Sequence, residues 1–361
     1  MMRVEIRPDW IVRDAAGAPT ALPALLGLLL SVSQLGSISK AAAQRGMSYR
    51  HAWGLLQEFS AQFGVELVHK VRGRGTVLSP LAEKLMWADQ RIHARLSPML
   101  DSLASELQQE LARVLASDAQ VLRLTASHGF AVAALVKQLN GQGVTVDINY
   151  RSSSDAVAAL ARGECDLAGF HLPVGAFEGA AAAKYRPWLD PERHALLHLA
   201  YRMQGIFVAR DNPKGVTGLA DLARADLRFV NRQKGSGTRV LLELLLADLG
   251  VDPAVINRSG TAEFTHAAVA AYVASGMADV GFGVETAARR FDLGFIPVIR
   301  EQYFLACNVS ALDTSLMKSA QTAMASSAFR DELSALPGYD GALCGSRLDM
   351  RFLFQGQSRY Q

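Results

Sequence analysis

Val121-Leu-Arg-Leu-Thr125 leads through Ala126-Ser-His-Gly129 into the helical pattern Phe130 to Leu139, and Val144-Thr-Val-Asp-Ile-Asn-Tyr150 leads through Arg151-Ser-Ser-Ser154 into a second, Asp155 to Arg162. Asp166-Leu-Ala-Gly-Phe170 follows as a third strand. Repeated strand, polar turn and helix is the signature of a mostly parallel sheet covered on both faces. Later strands are expected at Gly205–Ala209, Leu227–Asn231, Val280–Gly283 and Phe295–Ile299. More than 230 residues of this pattern fit two small α/β lobes with a cleft better than one sheet. The stretch from Leu312, with Gly338 to Gly345 and a polar end at Gln355–Gln361, continues it without evident chemistry.

Ahead of this region, Pro80 to Ser117 contains no glycine. Leu81, Leu85, Ile92, Leu96, Leu100, Leu103, Leu107, Leu111 and Val114 recur there at mostly three- and four-residue spacing, so one long amphipathic helix is expected, interrupted at Pro98. A helix of this length between domains serves as a linker and a dimer seam. Earlier still, Leu25–Val32, Ile38–Gln44 and Tyr49–Phe63 read as helices, with Ser37 and Ser48 as N-caps. Two helices joined by the turn Arg45-Gly46-Met47-Ser48 form a helix-turn-helix, whose second helix enters the major groove. It exposes Ser48, Tyr49, Arg50 and His51; Trp53 is expected in the core. Leu67 to Leu78 reads as two strands around Arg72-Gly-Arg74, a wing whose arginines reach phosphates or the minor groove. The expected domains are therefore 1–79, DNA-binding; 80–118, linker; and 119–361, a two-lobed effector domain.

Charge divides along the same line. The 361 residues carry a net +3. Residues 1–100 hold 12 Lys and Arg against 7 Asp and Glu, a balance of +5, which leaves −2 for the remainder. A basic head points to nucleic acid. Half the residues are hydrophobic, enough for full cores, and Cys165, Cys307 and Cys344 have no CxxC spacing. A disulfide scaffold and a zinc ribbon are excluded, and no metal or cofactor is expected. The longest apolar run, Ala21 to Val32, is broken by Pro23 and too short to span a bilayer, so a cytoplasmic protein without membrane contact is expected.

The sharpest local sequence is Arg228-Phe-Val-Asn-Arg-Gln-Lys-Gly-Ser-Gly-Thr-Arg239 before the apolar helix Val240–Leu249. A strand running into Gly235-Ser-Gly-Thr238 at a helix start gathers free amides, two hydroxyls and the positive end of the helix dipole, which suits an anion. The plain alternative is a glycine turn with a capping hydroxyl. Neither the GxxxxGK[ST] of a nucleotide loop nor GxGxxG is present. Other turns at strand ends repeat the theme: Ser127-His128, Ser152-Ser-Ser154, His171 and Thr265-His266. In open α/β sheets ligands bind at the carboxyl ends of strands. The anion pocket is therefore expected from Ser127, His128, Ser153, Ser154, His171, Arg232, Ser236, Gly237, Thr238, Arg239, Thr265 and His266. Catalysis is not expected, because Ser and His adjacent in sequence point different ways and no Gly-x-Ser-x-Gly elbow occurs.

Two family resemblances sit on these motifs. Gly36-Ser-Ile-Ser-Lys-Ala-Ala42 with Gly46-Met-Ser-Tyr-Arg-His-Ala-Trp53 resembles the winged helix of LysR-type and ModE-type regulators, and Ser-Tyr-x-x-Ala-Trp lies closer to the ModE side. Arg162-Gly-Glu-Cys-Asp-Leu-Ala-Gly-Phe-His-Leu-Pro173, Tyr201-Arg-Met-Gln-Gly205, Asn212-Pro213, Phe229 to Arg239, Glu263-Phe-Thr-His266 and Ala274-Ser-Gly-Met-Ala-Asp279 resemble the periplasmic-binding-protein-like domain found with ModE-type winged helices and molybdopterin-biosynthesis proteins. The resemblance implies a one-component regulator: operator DNA on one side, a small oxyanion such as molybdate or tungstate on the other, and a homodimer or homotetramer through the linker helix. ModE proteins proper sense molybdate with a different domain. A LysR-like sensor of a small carboxylate such as formate, or a DNA-binding protein with a non-sensing α/β domain, are the alternatives.

Overall fold

A computed structural model describes residues 4–13, 17, 19–115 and 121–351. Two compact units are present, Arg7–Leu96 and Ser97 onward, the latter joined by the stretch ending at Ile6. The first opens with a hairpin, β1 (Ile11–Arg13) and β2 (Pro19–Ala21), followed by α1 (Pro23–Leu35), α2 (Ile38–Gln44), α3 (Tyr49–Phe63), the wing strands β3 (Val68–Val71) and β4 (Gly75–Leu78), and α4 (Pro80–Leu115). Its core is a single apolar cluster that includes Leu25, Leu28, Leu29, Ala41, Ala52, Leu56, Leu67 and Ala82, all fully buried. A fully buried leucine contributes about 1.5–3 kcal/mol, so this core suffices for a small domain without a staple. Ser37 Oγ accepts from Lys40 N and Ser48 Oγ from His51 N, which starts α2 and α3 where the cap residues stand.

Helix α4 runs unbroken through Pro98, and the boundary between units falls inside it, between Leu96 and Ser97. That differs from the expected interruption at Pro98. Pro98 removes one i→i−4 bond at a cost of about 3 kcal/mol, and the helix continues on both sides of it. The expected end at Ser117 and the polar end at Gln355–Gln361 lie outside the described residues.

The second unit contains β5 (Val121–Ala126), α5 (Phe130–Gly141), β6 (Thr145–Tyr150), α6 (Ser153–Ala161), β7 (Leu167–Pro173), α7 (Glu178–Ala183), β8 (His194–Val208), β9 (Phe229–Arg232), α8 (Gly237–Asp248), β10 (Arg258–Glu263), α9 (His266–Ala274), β11 (Val280–Val284), α10 (Glu285–Arg290), β12 (Gly294–Asn308), α11 (Ser315–Ala325), α12 (Ser327–Ser334), β13 (Tyr339–Asp340) and β14 (Arg347–Leu348). Strand order is β10-β9-β11-β8-β12-β7-β5-β6, with β13 and β14 also on β8. The parallel sets β6-β5-β7 and β10-β9-β11 are the two lobes. Between them run β8 and β12, 15 residues each and antiparallel to one another over their length. The five-residue strands expected at Gly205–Ala209 and Phe295–Ile299 are thus the second-lobe parts of longer crossing strands. Separate cores fill the faces of each lobe.

Candidate effector site between the lobes

The parallel strands of both lobes aim their carboxyl ends at one cavity. Its walls are Ser127, His128, Arg151, Ser152, Ser153, His171, Arg232, Gln233, Ser236, Gly237, Thr238, Phe264 and His266. The space at its focus, counted as room for atom centres, is about 20 Å³. Four helices start at this cavity: α5 after Gly129, α6 after Ser152, α8 after Ser236 and α9 after Thr265. Each presents first-turn amides and a positive dipole end to the region. Ser152, Ser236 and Thr265 accept from Asp155 N, Arg239 N and Ala268 N, so their oxygens are committed as caps.

Buried basic groups dominate the electrostatics. Arg232 donates Nε to the Glu263 carbonyl (3.2 Å) and Nη2 to the Phe264 carbonyl (2.6 Å), while its buried Nη1 has no partner among the described residues. Burial, together with nearby Arg202, pulls its pKa down to about 9 even though Glu301 and Glu263 oppose the fall. His128 and His171 are held at about 4, in both cases chiefly by burial, with Arg232 adding to it. His266 lies well below the ordinary histidine range for the same reasons. Three neutral imidazoles and one cation therefore share the site at neutral pH.

Behind the cavity, Arg202 of β8 stands directly opposite Glu301 of β12. Arg202 Nε donates to Glu301 Oε2 at 2.9 Å, and Gln204 Nε2 reaches the same oxygen at 2.6 Å and Thr238 Oγ1 at 3.2 Å. Burial disfavours the Glu301 charge, but Arg202 and His171 overcome it and lower its pKa. The ion pair spends this carboxylate on Arg202. His171 Nδ1 meets Ser153 Oγ at 3.3 Å, and Ser127 Oγ meets Tyr303 Oη at 3.2 Å. Gly237 is required by close approach: a Cβ there would collide with the His171 imidazole, so the first turn of α8 in one lobe packs on a side chain of the other.

Most of the expected pocket is brought together: Ser127, His128, Ser153, His171, Arg232, Ser236, Gly237, Thr238 and His266 all line the cavity. Ser154 instead faces an adjoining small chamber with Leu241 and Leu244. Thr265 is fully buried as the cap of α9. Arg239 turns away, its Nε held 2.9 Å from Glu243 Oε1, because the i,i+4 carboxylate on its own helix is the nearer partner. Arg151, Gln233 and Phe264 were not anticipated, nor was the supporting set Arg202, Gln204, Glu301 and Tyr303.

The linker helix reaches this lobe through hydroxyls. Strand β6 is the sheet edge, and its outward amides at Ile148 and Tyr150 donate to Ser105 Oγ (3.0 Å) and Ser102 Oγ (3.2 Å) of α4. Tyr150 in turn packs edge-on against His128, ring centroids 4.9 Å apart.

In the N-terminal unit Ser48, Tyr49, Arg50 and His51 are exposed at the start of α3, and Arg72 and Arg74 are exposed at the wing turn. Ser37 caps α2. Trp53 departs from its expected place in the core: it is 40% exposed, because Ala52, Leu56 and Phe59 supply the buried stripe of α3. Among the described residues no His, Cys, Asp and Glu group could hold a metal ion, and no helix is long and apolar enough to cross a membrane.

A winged helix-turn-helix joined to a two-lobed binding domain defines a ligand-responsive DNA-binding protein as a class. Residues 133–325 match the PBP superfamily domain, and residues 24–83 match the bacterial regulatory helix-turn-helix protein of the lysR family. The chain belongs to the PBP superfamily over its α/β half and carries a lysR-family helix-turn-helix ahead of it. The Bacillus subtilis protein YvgK is 35% identical over 223 residues, 57% of this chain and 71% of the relative. The molybdenum-pterin-binding protein MopB of Rhodobacter capsulatus is 32% identical over 146 residues, 36% of this chain and 53% of MopB. Full-length BenM is similar at a TM-score of 0.43 and 14% identity, covering 86% of this chain and 96% of BenM.

Proposed function

We propose that the cleft binds a small oxyanion, with molybdate or tungstate as the leading ligands, and that its occupancy adjusts how a homo-oligomer joined through α4 binds operator DNA. The observation that carries this is Arg232 Nη1, buried in the cavity wall without a partner among the described residues. An unmet charged donor is costly unless an acceptor arrives. Four helix starts and the hydroxyls of Ser127, Ser153 and Ser236 supply further donors in the same volume. About 20 Å³ of room for the centre of a water-sized group suits a compact ion, since one water needs roughly 10–15 Å³ on this measure. Likeness to MopB, a molybdenum-pterin-binding protein, favours molybdate over sulfate. A carboxylate as small as formate uses the same donors and is the second reading.

The test is thermal denaturation of the full chain with molybdate, tungstate, sulfate, phosphate or formate. A ligand at a hundred times its Kd adds about 2.7 kcal/mol, an upward shift of about 5–10 °C for a unit of this size. Stabilisation by molybdate or tungstate is the expected result, and stabilisation by formate alone would replace the leading reading with the second. No shift with any of the five would refute the anion assignment.

A further inference from the structure

We propose that Trp53, stacked beside Tyr49 on the flank of α3, is a base-reading residue that recognises thymine methyl groups in the major groove. This rests on the DNA-binding reading of the N-terminal unit and adds to it which side chains read sequence and through which chemistry. Tyr49 and Trp53 stand one helical turn apart, their rings 6.5 Å between centroids and 7° from parallel. They are 50% and 40% exposed, so two large aromatic faces lie in water although α3 has a complete buried stripe in Ala52, Leu56 and Phe59. Exposed aromatic surface at that density marks a contact surface.

Its surroundings choose the partner. Arg50 and His51 follow Tyr49 directly, all exposed, and the wing turn carries exposed Arg72 and Arg74. Among the described residues none of Arg50, Arg72 and Arg74 has a carboxylate partner, which leaves them for phosphates. Exposed cations beside an apolar strip on the helix that enters the groove, with further cations on the wing, match a duplex whose phosphates flank an apolar feature. In the major groove that feature is the thymine C5 methyl. A flat indole held parallel to a phenol offers a methyl group dispersion contact and excludes water from it.

The experiment enriches binding duplexes from a random pool with the full chain and then measures binding at one stated ionic strength. Four proteins are compared: the unsubstituted chain, Trp53→Ala, Trp53→Phe and Arg72→Ala. Enriched sites are also synthesised with uracil replacing thymine, which removes only the methyl group. Expected for the unsubstituted chain is a fixed thymine whose replacement weakens binding about fourfold, the value of one buried methyl-sized group. Trp53→Ala is expected to bind weakly and indifferently to that replacement, and Trp53→Phe to keep part of the sensitivity. Arg72→Ala should bind more weakly on thymine and uracil duplexes alike, with a shallower salt dependence. Equal uracil sensitivity in Trp53→Ala, or none in the unsubstituted chain, would overturn the proposal while leaving DNA binding in place. Enrichment of no duplex would overturn both. A Trp53→Ala protein with unchanged DNA binding and an altered sedimentation coefficient would assign the stack to a protein contact. Because Trp53 lies outside the core, each variant is expected to melt as the unsubstituted chain does.

Discussion

Acidification is expected to loosen the effector domain well above the carboxylate range. His128 and His171 fall from 6.5 to about 4 on folding, chiefly through burial. Because the folded pKa is depressed, the unfolded chain binds more protons between those values and stability falls as pH falls. From pH 7.5 to pH 5, each histidine costs about 2 kcal/mol by this linkage, or about 4 kcal/mol for the pair. His266 and His194, also depressed, act in the same direction. At about 2–4 °C per kcal/mol, the melting temperature should drop by about 8–16 °C. Differential scanning fluorimetry at constant ionic strength measures it. The double variant His128→Asn with His171→Asn should remove the pair's share, leaving the part due to His266 and His194. A double variant that keeps the full slope, or an unsubstituted chain that is flat from pH 7.5 to 5, would refute the claim that these imidazoles are buried neutral.

Other outcomes follow from single contacts. Ser102→Ala with Ser105→Ala strips the edge amides of β6 of their acceptors, at about 1 kcal/mol each. Anion affinity should stay within about twofold while the anion's effect on operator binding shrinks; an unchanged effect would remove this contact from the coupling. Gly237→Ala places a methyl group against His171, and overpacking of this kind costs about 1–3 kcal/mol, so anion affinity should fall at least about fivefold by calorimetry. Unchanged affinity would show that the lobes do not need this approach. Arg50→Ala should weaken operator binding and leave anion affinity unaltered, checked by fluorescence anisotropy across a salt series.

Local signals made much of the chain legible. Helix α3 is legible at Tyr49–Phe63 because a capping serine, Ser48, and a glycine, Gly64, bracket it; in the structure Ser48 caps the first turn and Gly64 closes the last at φ 67°. The cavity wall was legible where polar turns follow strands, as at Ser127-His128 and Gly235–Thr238. What the sequence hid depends on register. Arg202 and Glu301 lie 99 residues apart and meet only because β8 pairs with β12, so nothing local marks either as part of a site. The first half of β8, His194-Ala-Leu-Leu-His-Leu-Ala200, is buried on both faces and lacks the alternation that reveals a half-exposed strand. Trp53 reads as core from sequence because it stands beside an apolar stripe, whereas Ala52, one residue away, already fills that place.

Isothermal titration of the full chain with molybdate, at fixed ionic strength and pH 7.5, tests the central claim most directly when run beside Arg232→Gln. The expected result is one ion per chain and a loss of at least about tenfold in the variant, since a charge-assisted hydrogen bond to an anion contributes about 1.5–3 kcal/mol. Equal affinity in the two proteins would contradict the site, and no binding of molybdate, tungstate or formate would contradict the function.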